Sequence, residues 1–429
     1  MCFGRINRMD EMRILHVNTN DQDGGAARAA YRIYQGENRA GIDARFLSIA
    51  KNLDDYRILT IEGKPNKLKK QFNIRWGNLL MKLAGVKAET PWNPNIIPFP
   101  LMKPFFRQKW DIVHLHWING GMLDIRELAE IRQPVVWTLH DSWAFTGGCH
   151  IPYGCRKYED GCKECPQLIG SPLFDLAKKV FGAKVKSYPK NMTIVCPSNW
   201  LAECARKSLL FHDKDIRVIP NGLDMELYRP QDKFFARQVL NLPMDCRIVL
   251  FGAMSATSDE NKGFKYLYEA IKKLPERFGG TENIHLVVFG SSKPEKEIDF
   301  GYPAHYMGRL YDDISLKLLY SAADVMVVPS KSENLPNAVV EAMACGTPCV
   351  GFRIGGIPDL IDHKETGYLA EPYEADDLAN GIAYLLVDSE RREKLSELAR
   401  SHIKTKCGLA VVVEQYRALY GSFGGDNIK

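Results

Sequence analysis

The sequence predicts an α/β protein made of two doubly wound parallel sheets in tandem, and three observations carry that expectation. Short unbroken apolar runs alternate with helical patterns, the alternation pauses around 221–243 in a stretch containing Pro and Gly, and it then begins again. A strand buried on both faces reads as such an unbroken run.

In the first half the runs are 12–18, 111–117, 134–141, 193–198 and 216–222, with helices expected at 122–132 and 199–209. In the second half they are 247–252, 284–290, 324–330 and 348–352, and a last helical pattern covers 409–420. Residues 1–11 read as a disordered leader.

The composition, 45% hydrophobic and 25% charged over 429 residues, is that of an ordinary globular protein with two or three domains. No run approaches the roughly 20 apolar residues of a membrane span, and the N-terminus lacks the apolar segment of a signal peptide. The expected location is therefore cytoplasmic. A net charge of +5, from 57 basic against 52 acidic residues, gives no reason to expect nucleic acid as a partner.

After the first run comes Asp23-Gly24-Gly25-Ala26-Ala27-Arg28, a glycine turn opening an alanine-rich helix. Paired glycines let backbone approach a ligand at a helix start; a simple tight turn is the alternative. The spacing is not the dinucleotide fingerprint.

The second half centres on Glu333-Asn334-Leu335-Pro336-Asn337-Ala338-Val339-Val340-Glu341, which follows the run 324–330. Glu333 then stands in a loop at a strand's carboxyl end, and Glu341 in the helix that follows. That end of a parallel sheet is where ligands bind, and a helix N-terminus there offers N–H groups to phosphate. Two carboxylates flanking a phosphate site suit a ligand that also carries hydroxyls. An acidic cap and a solvated helix residue are the plainer alternative. Lys262, before Gly263 and a helix start near Phe264, reads by itself as an exposed lysine.

Between 64 and 87 there are seven cations and no acid, while Leu68, Phe72, Trp76, Leu79, Leu80 and Leu83 recur at helical spacing. This stretch suits either an anionic membrane surface or packing on its own domain behind a basic rim. Of eleven cysteines, Cys196, Cys204, Cys345 and Cys349 sit in apparent buried elements as small hydrophobes. Cys149, Cys155, Cys162 and Cys165 instead cluster within seventeen residues of a Gly-rich, charged loop. Four thiolates at that spacing suit a closed structural zinc site, with His150 as a substitute ligand; paired disulfides and free thiols are the alternatives.

The glutamate string, together with Val195-Cys196-Pro197-Ser198 and Val218-Ile219-Pro220-Asn221-Gly222-Leu223-Asp224, resembles the retaining glycosyltransferases of the family-4 type, over nearly all of the chain. The stretch Leu139-His140-Asp141-Ser142-Trp143-Ala144-Phe145-Thr146-Gly147-Gly148-Cys149 and the cysteines after it are similar to bacterial exopolysaccharide enzymes, the colanic-acid type among them.

The resemblance implies a GT-B fold of two Rossmann-like domains facing across a cleft. Residues 12–225 would form the acceptor domain with the Cys-rich loop 149–165, 226–405 the nucleotide-sugar donor domain, and 406–429 a helix crossing back to the first domain. It implies transfer of a sugar from a UDP- or GDP-sugar to a hydroxyl of a glycan or lipid-linked acceptor in bacterial surface polysaccharide synthesis, with retention and without a catalytic metal. A membrane-bound acceptor would be met on the cytoplasmic face of the inner membrane through 64–87.

Residue by residue, the resemblance makes Glu333 and His140 the catalytic positions and Gly24, Gly25, Lys262, Leu335, Asn337 and Glu341 the donor-binding ones. Lys262 falls on the diphosphate and Glu341 on the ribose. Negative charge growing on a departing diphosphate explains the cation and the backbone amides. The chain departs from the family at Ala253, after Gly252, where an arginine is common; Ser255, Thr257 or Arg28 would have to replace that bidentate partner. A nucleotide-sugar epimerase of the same fold and a non-catalytic nucleotide-sugar-binding scaffold are the rival readings.

Overall fold

The computed structural model describes residues 12–423 apart from 62, 88–90, 171–173, 253–258, 279–282, 292, 294–297 and 311. The expected leader and the readings at Ala253, Ser255 and Thr257 lie outside the described residues. The chain divides into two compact units, Met1–Pro220 with Val412–Lys429, and Asn221–Val411. These edges differ from the expected 225 and 405.

Among the described residues the first unit holds seven strands: β1 (Arg13–Val17), β2 (Asp43–Ser48), β3 (Ile58–Thr60), β4 (Ile112–Leu115), β5 (Val135–Thr138), β6 (Met192–Cys196) and β7 (Asp215–Val218). All pair in parallel, in the order β3-β2-β1-β4-β5-β6-β7. The winding reverses between β1 and β4, which makes that pair the topological switch point.

Alternate residues of each strand feed opposite faces. Leu15, Val17, Val113 and Leu115 enter the larger core, whereas Ile14 and Ile112 join Val412, Tyr416, Leu419 and Tyr420 in a second one. The helix Leu409–Phe423 therefore covers a sheet face that would otherwise be wet. Each of its buried apolar side chains contributes about 1.5–3 kcal/mol by that burial.

The second unit holds β8 (Arg247–Gly252), β9 (Ile284–Phe289), β10 (Ala304–Gly308), β11 (Val325–Val328), β12 (Cys349–Phe352) and β13 (Gly367–Ala370). They form a parallel sheet in the order β10-β9-β8-β11-β12-β13, with its switch point between β8 and β11. Here too the alternation is clean: Ile248 and Leu250 pack into one core, Val249 and Phe251 into the other.

The helix expected at 122–132 is instead a 3-10 helix, Ile125–Glu130. Its Glu127 carboxylate accepts from the Asp124 amide in a capping box and also from the amides of Met102 and Lys103. Tertiary hydrogen bonds thus fix the turn before an α-helix can propagate.

Candidate active site

In the Asn221–Val411 unit the loops after β8 and β11 meet across the switch point. Asn261 is buried, and its side-chain amide donates to the Ser332 carbonyl at 2.9 Å while its own carbonyl accepts from the Lys331 amide at 2.7 Å. Gly263 takes φ 68°, and a Cβ there would lie 1.9 Å from the Pro329 oxygen, so only glycine lets the loops approach this closely. Gly355 does the same against the Glu333 oxygen, where a Cβ would lie at 2.0 Å. Held between these contacts, the Lys262 ammonium donates to Glu333 Oε1 at 2.7 Å.

The helix Asn337–Ala344 begins directly after this loop, behind Pro336, without a side-chain cap. Asn337 Oδ1 accepts from Asn221 Nδ2 at 2.9 Å, and the same amide reaches the Leu335 carbonyl at 3.3 Å. The loop entering the helix is thereby fixed while the helix's positive end faces the loop. Glu341, a turn further on, is buried, and its Oε2 accepts from the Tyr320 hydroxyl at 2.9 Å. Burial, then the neighbouring Glu341 charge, pushes Tyr320 well above the usual phenol range, so it stays a donor.

In the first unit Gly24 caps the helix Gly25–Arg39 after β1, and no side chain bonds the cap. His140 follows β5 and begins a chain of imidazoles. Its Nε2 lies 3.2 Å from His116 Nδ1, His116 Nε2 lies 3.0 Å from His16 Nδ1, and His16 Nε2 lies 2.7 Å from Glu37 Oε2.

The Tyr420 hydroxyl donates to the other Glu37 oxygen at 2.8 Å. With Glu37 accepting and each ring carrying a single proton, each Nε2–H donates and each Nδ1 accepts. His140 consequently presents a bare Nδ1. Burial lowers its pKa to about 4, and it holds His116 and His114 well below their usual range. His114, His116 and His140 are therefore neutral at physiological pH.

His16, His114 and His116 bring ring nitrogens within 4.8 Å of one another. Those nitrogens already bond one another, Glu37, His140, Tyr420 and Thr138, so the group is a hydrogen-bond array. Beside it, Asp141 accepts from His150 Nδ1 at 2.6 Å and from the Trp143 amide at 2.8 Å. His150 Nε2 faces Asn93 Oδ1 at 2.8 Å. With both nitrogens engaged, His150 does not serve as the substitute ligand considered from the sequence.

Two family models match the chain. One described as Glycosyltransferase Family 4 covers residues 23–227, and one described as Glycosyl transferases group 1 covers residues 232–402. The chain belongs to the family-4-type glycosyltransferases.

A D-inositol 3-phosphate glycosyltransferase of Saccharomonospora viridis is 31% identical over 204 residues, 44% of this chain and 46% of that protein. The chain spans between 27% and 51% of the length of the first four curated relatives it matches. Among solved structures, sucrose-phosphate synthase from Thermosynechococcus elongatus superposes with a TM-score of 0.67 at 19% identity, covering 96% of this chain and 99% of that one. Anabaena HepE in complex with UDP-glucose gives 0.63 at 17%, covering 96% and 100%. These likenesses establish the GT-B fold of two Rossmann-like domains.

Within this glycosyltransferase the sequence reading and the structure differ in what each brings together. Lys262, Glu333, Leu335 and Asn337 gather around one pair of loops, and Glu341 lies in the helix those loops feed. Gly24, Gly25 and His140 belong to the other unit. Of this row the sequence reading named only His140 as a site residue. The signal available was a histidine near the carboxyl end of each of three strands, β1, β4 and β5, which the sheet order makes neighbours. The four loop cysteines line one small cavity.

Proposed function

We propose that this glycosyltransferase moves a sugar, with retention at the anomeric carbon, from a UDP- or GDP-sugar bound by the Asn221–Val411 unit. The acceptor is a hydroxyl of a glycan or lipid-linked glycan, in the building of a bacterial surface polysaccharide. The observation that carries the reading is the Lys262–Glu333 contact of 2.7 Å at the switch point of the second sheet, beside the uncapped helix at Asn337.

When the bond between the anomeric carbon and the diphosphate breaks, charge collects on the phosphate oxygens. Lys262 and the first amides of that helix supply the compensating positive charge, so no catalytic metal is invoked. Glu341 accepts from two ribose hydroxyls, with Tyr320 holding its plane. His140 offers its bare Nδ1 to a sugar hydroxyl. The UDP-glucose carried by HepE supports a UDP-sugar as donor.

The same reading gives the helix Lys64–Leu83 a membrane role. Leu68 is 67% exposed and Leu83 60%, Phe72, Trp76 and Leu79 are also exposed, and the buried residue is Asn73. Asn73 Nδ2 donates to the Phe99 carbonyl and its Oδ1 accepts from the Phe99 amide, so a polar residue ties the helix down while Leu80 and Met81 pack on the core and Leu68, Phe72, Trp76, Leu79 and Leu83 stay outward. Among the described residues no helix is long and apolar enough to cross a membrane. An outward apolar row flanked by lysines suits lying on anionic lipid, where a lipid-linked acceptor is found.

The test is a thermal-shift panel of UDP- and GDP-sugars. One nucleotide class at saturating concentration should raise the Tm by about 5 °C. No shift with any nucleotide sugar overturns the reading; binding with no transfer to any hydroxyl acceptor points to a scaffold.

A further inference from the structure

The segment from Gly147 to Gly170 contains no α-helix or strand, only the 3-10 turn Lys157–Glu159. Three of its non-glycine residues, Tyr153, Cys162 and Glu164, take left-handed backbone. A loop of this length without regular structure needs a cross-link or a dense polar network to hold one shape.

Cys149, Cys155, Cys162 and Cys165 are all reduced, and all four line one cavity of about 10 Å³ with Trp92, Tyr158 and Ala177. That volume admits one water-sized sphere. A water there needs two to four good hydrogen-bond partners, and thiols and ring carbons are poor ones. An iron–sulfur cluster, with several heavy atoms, exceeds the space. A single soft cation suits the sulfur lining, and because the four sulfurs stand further apart than the ring nitrogens of His16, His114 and His116, binding it has to draw them together.

A second observation comes from outside the loop. Lys184 is fully buried, its ammonium donates to the carbonyls of Trp143 and Thr146, and it lies 3.5 Å from the centre of the Trp143 ring. Among the described residues it makes no ion pair with a carboxylate. Thr146, whose carbonyl it holds, lines the same cavity as the four cysteines. Four thiolates around a divalent ion leave a net charge of two minus in a dry interior, and a buried ammonium beside them offsets half of it.

We propose that Cys149, Cys155, Cys162 and Cys165 bind one structural zinc ion, for which Lys184 is the buried counter-charge. Binding releases the four thiol protons, forms four Zn–S bonds and involves no electron transfer. The ion shapes the loop and takes no part in sugar transfer.

The full-length chain, purified without chelator or metal-affinity resin, is analysed for zinc, iron and sulfide by mass spectrometry and colorimetry, and its thiols are titrated under native conditions. About one zinc per chain, with these thiols unreactive until a mercurial releases the metal, is the expected result. The double variant Cys162→Ser/Cys165→Ser should lose at least about 90% of the zinc and melt at lower temperature. If that variant does not fold, the wild-type metal content decides alone. Four freely reactive thiols with no metal, two disulfides by mass, or iron with sulfide would each overturn the proposal.

Discussion

The Lys262 ammonium and the Glu333 carboxylate, 71 residues apart in sequence, lie 2.7 Å from each other. They join the loops that leave β8 and β11, the two strands between which the second sheet changes direction. On the proposed function, a donor phosphate arriving there competes with Glu333 for the same ammonium. Lys262→Ala should therefore lower kcat/KM for the donor by about 100-fold or more. Glu333→Gln should cost about as much, and the double variant little beyond the worse single one, because the two act as a unit. Steady-state kinetics of all three variants check this; fully additive losses would mean that the residues work separately.

Glu341 is buried with one oxygen held by Tyr320. Removing its charge while keeping its shape, as Glu341→Gln, should raise the donor KM about 10- to 100-fold and leave kcat nearly unchanged. Tyr320→Phe removes one hydrogen bond and should raise KM only about 3- to 10-fold. An unchanged KM in Glu341→Gln would reduce the residue to a structural role.

His140, with its pKa lowered to about 4 by burial, stays neutral at pH values where an unfolded histidine, near 6.5, takes up a proton. The unfolded state then binds more protons, so this contribution to stability is complete above about pH 6.5 and is lost as pH falls toward 4. His114 and His116, also lowered, add in the same direction. The slope in that window is about 1.4 kcal/mol per pH unit for each histidine held neutral. Tm should fall accordingly between pH 6.5 and 4.5, and His140→Asn should flatten the fall. Identical slopes in both proteins would contradict the assignment.

The helix Lys64–Leu83 should bind vesicles containing anionic lipid, and Lys67, Lys69 and Lys70 changed together to Glu should weaken that binding at least about 100-fold, given about 1 kcal/mol per charge. Raising the salt concentration should act in the same direction. Flotation of the intact chain measures it, and undiminished flotation of the triple variant ends the membrane reading.

Much of the fold was legible in the sequence because parallel strands buried on both faces announce themselves as apolar runs, as at β1, β5, β8 and β11. The strands left unread are those where that signature fails. β2 carries Asp43 and Arg45, β3 has three residues, β10 is an edge strand with no fully buried residue, and β13, though buried, is only four residues long and includes a glycine and an alanine. Lys262, Glu333 and Glu341 could be named from a local motif, but the contact between the first two depends on Asn261 and Gly263 clamping distant loops. Helical periodicity revealed an apolar row at 68–83; which way it faces is decided by Asn73, a single polar residue bonded to Phe99. The imidazole row was not read because its members are brought together by strand order rather than by spacing.

That row has a consequence for which residues can replace one another. Its interior members, His16 and His116, each give a proton on one side and take one on the other. A glutamine can in principle do both, whereas leucine, phenylalanine or lysine can do at most one. Related chains that have drifted at position 116 should therefore have kept an amide or imidazole there, or have lost the acid at position 37 together with the polarity of the row. Substitution at these three positions is then a matter of grammar rather than size: a replacement can fit the cavity and still leave His140 facing outward with the wrong nitrogen.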